Sequence, residues 1–197
     1  ETAGRHGFPT LSIRPDQVFA CLEAGLGAAD LRRRLRDAGV RVRVIDAMFG
    51  LPGQPPAEGA PPGAPPASNE DLCYRAAEAV EAPIINVTHY RGVPTPKAEL
   101  VDAIGEVCAR ARPRGFEIVL EFIPDTGLSS LNLAFEVLQA VAAPNLAILL
   151  DPWHWSRSGG TLDDLRRLPP GAVGAFQLCD RTVPPPVPRA PGRLRRR

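Results

Sequence analysis

Six short apolar runs alternate along this chain with longer amphipathic stretches, and that rhythm restricts the fold more than any other feature. The runs Pro9–Ile13, Val40–Ala47, Pro83–Val87, Phe116–Ile123, Leu146–Leu150 and Ala172–Leu178 are rich in Val, Ile and Leu, as strands covered on both faces are. Between them, Ala98–Arg112 carries Leu100, Val101, Ile104, Val107, Cys108 and Ala111 at helical spacing and stops before Gly115. Ser130–Ala142 does the same with Leu131, Phe135, Leu138 and Val141, behind a serine able to cap the helix. Ala28–Ala38 stops at Gly39, and residues 69–82 and 161–168 supply two shorter helices. Strands joined by helical crossovers predict a parallel α/β sheet, either a closed barrel or an open doubly wound sheet. No GxGxxG or Walker-type loop follows any run, and the polar residues gather at the C-terminal ends of the runs, which favours a barrel. A complete eight-unit barrel needs about 250 residues. With 197 residues, the expected fold is therefore an incomplete (β/α)8 TIM barrel of about six parallel strands with helical crossovers.

Composition sharpens the boundaries. Leu51–Ser68 is rich in Pro, Gly and Ala and is expected to form an extended, mobile loop inside a single partial barrel covering residues 1–180. Residues 181–197 have no periodicity, are rich in Pro and Arg, and are expected to be a disordered tail. The net charge of +1 includes six arginines after Asp180, so the body without them is acidic; this argues against a nucleic-acid surface. Cys21, Cys73, Cys108 and Cys179 form no CxxC pair and lie among apolar residues, as reduced thiols of a cytoplasmic protein do. No apolar run is long enough to span a membrane, so no membrane partner is expected.

Three run ends carry groups able to do chemistry. Glu121 closes the stretch Phe116–Glu121 as a carboxylate after an apolar strand, costly there unless it meets solvent, a cation or a substrate. Taken alone it reads best as an ion-paired residue of the barrel mouth. Asp151 ends the next run and His154 lies one short turn on; the plain alternative is that Asp151 caps that turn while His154 packs beside Trp153 and Trp155. Gln177 and Asp180 end the last run, where a glutamine is more often a hydrogen-bonding partner than a ligand. In a closed barrel these ends ring one cavity. Asp46 and His89 also end runs, and Arg14 follows the first, with Asp16 at hand as an ion-pair partner. Arg157, ahead of Gly159 and Gly160, either closes over a substrate or shapes a turn.

The stretch LEFIP…LLDPWHWSRSGGTLDDLRRLP…AFQLCD resembles the sugar phosphate isomerase/epimerase superfamily, the xylose isomerase-like barrels, which also include inosose isomerases and dehydratases, tagatose/psicose 3-epimerases and the endonuclease IV type of repair enzyme. The resemblance runs from about Gly7 to Asp180 and implies a divalent metal ion, with Mn²⁺ or Mg²⁺ favoured over Co²⁺ or Zn²⁺ for an oxygen-rich ligand set. It implies Glu121 as metal ligand and acid/base, Asp151 and Gln177 as further ligands, and His154 as a catalytic group touching substrate. Arg14, His89, Arg157 and Asp180 are the remaining candidate substrate-binding residues. Two departures stand out: Gln177 holds a place where the family usually has histidine, and nothing after Asp180 matches the family's glutamate on the eighth strand. With the first strand expected before Glu1, the resemblance implies a barrel truncated at both ends. The implied function is a sugar or sugar phosphate isomerase/epimerase acting by proton transfer beside a carbonyl on a small-molecule sugar, with homo-oligomerisation open. The alternatives are a dehydratase of a cyclic polyol or keto-acid in the same superfamily, and a catalytically inactive barrel fragment.

Overall fold

The computed structural model describes residues 2–90 and 93–178; Cys179, Asp180 and the tail lie outside the described residues. The strands are β1 Thr10–Ile13, β2 Arg41–Met48, β3 Ile84–Thr88, β4 Glu117–Glu121, β5 Leu146–Leu150 and β6 Val173–Phe176. All six apolar runs therefore become strands. They form one sheet in the order β1-β2-β3-β4-β5-β6, every neighbouring pair parallel. Helices follow the strands: α1 Thr2–Arg5, α2 Pro15–Glu23, α3 Ala28–Asp37, α4 Glu70–Val80, α5 Lys97–Ala111, α6 Leu131–Val141, α7 Pro152–Arg157 and α8 Leu162–Arg166. Sequential strand order with helical crossovers makes this an incomplete TIM barrel.

Local chemistry sets the element boundaries. Ser130 Oγ accepts from the Leu133 N–H and caps α6, and Thr161 and Asp164 form a reciprocal capping box on α8. Gly39 and Gly115 end helical segments with φ of 70° and 79°, conformations that cost a Cβ-bearing residue more. Residues 51–68 hold neither helix nor strand. The start of that loop is nonetheless anchored: Leu51 is buried, and the Gln54 side chain accepts from the Gly50 and Leu51 N–H groups and donates to the Tyr90 carbonyl.

Two cores follow from the two sheet faces. The larger lies between sheet and helices, where Ile45, Ile85, Ile118, Leu120 and Ile148 meet Ala77, Leu100, Ile104 and Val137. The smaller lies on the concave face and consists of Val44, Ile84, Val119 and Leu149, with Ala147 and Ala175 packed against it. Cys73 and Cys108 are buried free thiols, pushed by burial up to about 12 and about 11. Cys21 is half-buried and also free. Among the described residues no helix is long and apolar enough to cross a membrane.

Candidate metal centre

Side chains alternate along a strand, so a residue two positions beyond an inward-facing one faces inward again. Two residues beyond Val44, Ile84, Val119, Leu149 and Ala175 stand Asp46, Asn86, Glu121, Asp151 and Gln177. Each lies toward the C-terminal end of its strand or just past it, so a polar layer sits directly on an apolar one. In β2 the alternation survives two irregularities. Leu11 faces Val42 and Ser12 faces Val44, leaving Arg43 as an extra residue; a second shift separates the Ile45–Ile85 pair from the Met48–Val87 pair. Against β3, Val44 pairs with Ile84 and Ile45 with Ile85, and the next residues along, Asp46 and Asn86, meet side by side.

The polar layer is tightly connected. The Asn86 Nδ2 group donates to Asp46 Oδ1 and to Glu121 Oε2, both at 2.7 Å. Gln177 Nε2 donates to Asp46 Oδ2 at 3.0 Å, so the curled sheet brings the end of β6 across to β2. Glu121 is 6 % exposed and Asp151 3 %. Asp151 does two things: its Oδ1 accepts from the Trp153 N–H at 2.7 Å and caps α7, while its Oδ2 stands 3.8 Å from His154 Nε2. Glu121 Oε1 stands 3.5 Å from the same nitrogen. These separations are too long for charge-assisted hydrogen bonds, which run to about 2.9 Å.

Electrostatics reinforce the picture. Burial pushes the Glu121 carboxyl up to about 7, the negative charges of Asp46 and Asp151 push the same way, and the Asn86 hydrogen bond opposes them. The His154 imidazole is lowered, first by burial and also by the positive charge of Arg157, against the pull of Asp151 and Asp46. Three carboxylates thus share a largely buried space, with the imidazole facing Glu121 and Asp151 held toward neutrality. One ligand atom each from Glu121, Asp151 and His154 lie within 4.8 Å of one another. Two carboxylate oxygens and an imidazole nitrogen, converging without a good hydrogen bond among them, fit a divalent cation.

The expected residues fare differently. Glu121, Asp151 and His154 come together, with His154 Nε2 within 4.8 Å of a carboxylate oxygen from each of the other two. Gln177 joins the layer, but its amide nitrogen faces Asp46, as it must beside an acceptor-only carboxylate. Arg157 stacks over the Trp153 ring at 5.1 Å, and its Nη1 is buried without a hydrogen-bond partner among the described residues. Arg14 is exposed and paired with Asp16 through two contacts of 2.9 Å; it lines a groove shared with Asp46. His89 departs from expectation. It is fully buried; its Nδ1 accepts from the Gly127 N–H at 3.1 Å, so Nε2 carries the proton and donates to the Pro52 carbonyl at 2.8 Å. With both ring nitrogens committed to backbone, His89 joins two loops and offers no nitrogen to a substrate. Asp180 lies outside the described residues. Asn86 is the member of the layer that sequence reading passed over. Its signal is a lone amide inside Ile-Ile-Asn-Val-Thr, where a buried polar group needs partners.

The fold agrees with known proteins. The sequence pattern of the family described as xylose isomerase-like TIM barrel matches residues 1–193. The inosose isomerase of Halalkalibacterium halodurans is 30% identical over 73 residues, 36% of this chain and 26% of that protein. The inosose isomerase of Bacillus subtilis is 29% identical over 86 residues, 43% of this chain and 31% of that protein. The matches therefore span under a third of the curated relatives' length. Among solved structures, the IOLI protein with a zinc atom superposes with a TM-score of 0.70 at 16% identity, over 89% of this chain and 64% of that one. D-psicose 3-epimerase in the presence of D-fructose gives 0.67 at 17%, over 90% and 65%. The probable 3-DHS dehydratase AsbF of Bacillus anthracis gives 0.67 at 19%, over 88% and 64%.

Proposed function

Because the chain belongs to the xylose isomerase-like TIM barrel family, we propose that it is, or is part of, a divalent-metal-dependent isomerase or epimerase of a sugar or related polyol. The observation carrying this reading is the convergence of Glu121, Asp151 and His154, with ligand atoms within 4.8 Å of one another on a concave sheet face. The inosose isomerases and the D-psicose 3-epimerase support the reaction class; the zinc in the IOLI structure supports the metal. Mn²⁺ or Mg²⁺ is the cation we favour here, given two carboxylates and the amide of Gln177 nearby.

Glu121, Asp151 and His154 would hold the cation, and Gln177 would complete the oxygen donors by a turn of its amide. A cation held there supplies Lewis-acid polarisation of a substrate oxygen. Glu121 does the proton chemistry: its carboxyl takes the proton from the carbon beside the carbonyl and returns it, as general base and then general acid. Arg157, fixed on the Trp153 ring, lies three residues beyond His154 on the same helical face and is suited to a substrate oxygen.

The test is solvent exchange. Candidate ketoses and inososes are incubated with Mn²⁺ and the protein in D₂O, and deuterium incorporation beside the carbonyl is followed by NMR. Incorporation with the wild type and a loss of about 10²–10⁴-fold in Glu121→Gln is expected. Exchange that is equal in the two proteins removes Glu121 from the role. A dehydratase reading has the AsbF fold likeness in its favour; it begins with the same proton abstraction and is separated by loss of water in the product.

A further inference from the structure

One side chain of the polar layer stands between two carboxylates that should repel each other. β3 lies between β2 and β4, and its Asn86 is 0 % exposed. The amide's two hydrogens are shared out, one to Asp46 Oδ1 and one to Glu121 Oε2, each at 2.7 Å. The orientation of the amide is dictated by its neighbours: both are acceptor-only when ionised, so the nitrogen must face them. Contacts of this length to charged acceptors are at the strong end for hydrogen bonds.

The consequence falls on Glu121. Its two oxygens have different surroundings: Oε2 is held by Asn86, and Oε1 faces His154 Nε2 at 3.5 Å, on the side of Asp151. Without the amide, the Glu121 side chain would turn away from Asp46 and Asp151, whose charges oppose its own. Asp46 is held from its other side by Gln177, so the amide of Asn86 joins a chain running from β6 through β2 and β3 to β4.

We propose that Asn86 is a positioning residue: by holding Glu121 Oε2 it presents Oε1 to the point shared with Asp151 and His154, where a divalent cation binds. The proposal rests on the reading of Glu121 as a metal ligand and goes further by assigning its orientation to a residue that cannot itself reach the cation through the nitrogen it has committed. Groups that orient metal ligands change affinity by about 10–100-fold when removed.

The experiment is Mn²⁺ titration calorimetry on the full chain, with thermal melting of the metal-free protein alongside. Asn86→Leu keeps most of the volume and removes both donors; Asn86→Ser keeps one short donor. Asn86→Leu is expected to weaken Mn²⁺ binding by about 10–100-fold and Asn86→Ser by less, though still measurably. In a Glu121→Gln background, Asn86→Leu should cause almost no further loss, since the carboxylate it orients is gone. A merely structural Asn86 gives the opposite pattern: lower melting temperature, unchanged Mn²⁺ affinity in both variants, or losses that add in the double variant. Any of these overturns the proposal while leaving the metal site standing. If Asn86→Leu does not fold, Asn86→Ser decides alone, with wild-type affinity as the overturning result. A wild-type protein that does not bind Mn²⁺ overturns the metal reading itself and the positioning role with it.

Discussion

Two layers of the concave sheet face lie one above the other, two residues apart along each strand, and their chemistry is opposite. The lower layer is Val44, Ile84, Val119, Leu149 and Ala175; the upper is Asp46, Asn86, Glu121, Asp151 and Gln177. Depth does not distinguish them. Leu149 is 0 % exposed and Val119 1 %, yet Asn86 is 0 % and Asp151 3 %. Burial of an apolar side chain stabilises the fold by about 1.5–3 kcal/mol, whereas burial of a carboxylate opposes folding unless it is paired. The lower layer is therefore explained by stability, and the upper layer calls for a ligand of opposite charge.

Exchanging the chemistry of the layers gives the largest expected effect. Leu149→Asp places an unpaired carboxylate among Val44, Ile84 and Val119 and should cost about 5 kcal/mol, most of the stability of an ordinary domain. Loss of the cooperative thermal transition checks it; a melting temperature near wild type would mean that the lower layer is wet. Leu149→Ala should cost about 2–5 kcal/mol by cavity formation and leave Mn²⁺ affinity within about twofold. That separation of stability from binding, read by denaturant melts and calorimetry, is what distinguishes the layers.

The upper layer should behave in the reverse sense. Glu121 has its folded-state value raised to about 7 from 4.5, so its contribution is fully present below pH 4.5 and is lost as pH rises through 7. The loss amounts to about 3 kcal/mol for the metal-free protein. Glu121→Gln should accordingly gain melting temperature relative to wild type at pH 8 and show little difference at pH 4.5. His154, whose imidazole is lowered by burial, contributes with the opposite sign, so the wild-type minus variant difference is the quantity to measure. The same difference between Glu121→Gln and wild type at both pH values would refute the raised carboxyl. Adding Mn²⁺ at 100 times its dissociation constant should stabilise the wild type by about 2.7 kcal/mol and Glu121→Gln by much less. The smallest effect lies outside both layers: Ser130→Ala removes the α6 cap bond, costs about 1 kcal/mol and should leave metal affinity untouched.

Much of this was legible before any coordinates. The six runs are strands because Val, Ile and Leu without alternation suit a sheet covered on both faces, and Ser130, Gly39 and Gly115 mark helix limits by their own backbone chemistry. Glu121 and Asp151 were visible as carboxylates ending apolar runs. The short helix α7 was read only as a turn, because six residues carry too little periodicity, and α2 went unread because Pro15 and Asp16 look like loop residues until Pro15 occupies a first helical turn. His89 had the right address, a strand end, but its ring is taken up by Pro52 and Gly127.

Local sequence determined which residues form strands and helices, because propensity, capping and patterning act over a few residues. It also determined which strand ends carry charge. Only the tertiary structure decided which of those charges meet. The pairing of Val44 with Ile84 and Ile45 with Ile85 sets Asp46 beside Asn86, the curl of the sheet brings Gln177 to Asp46, and α7 turns His154 onto Glu121 and Asp151. The Asn86–Asp46 and Gln177–Asp46 contacts join residues 40 and 131 positions apart, and register and sheet curvature, not nearest-neighbour preference, set distances of that kind.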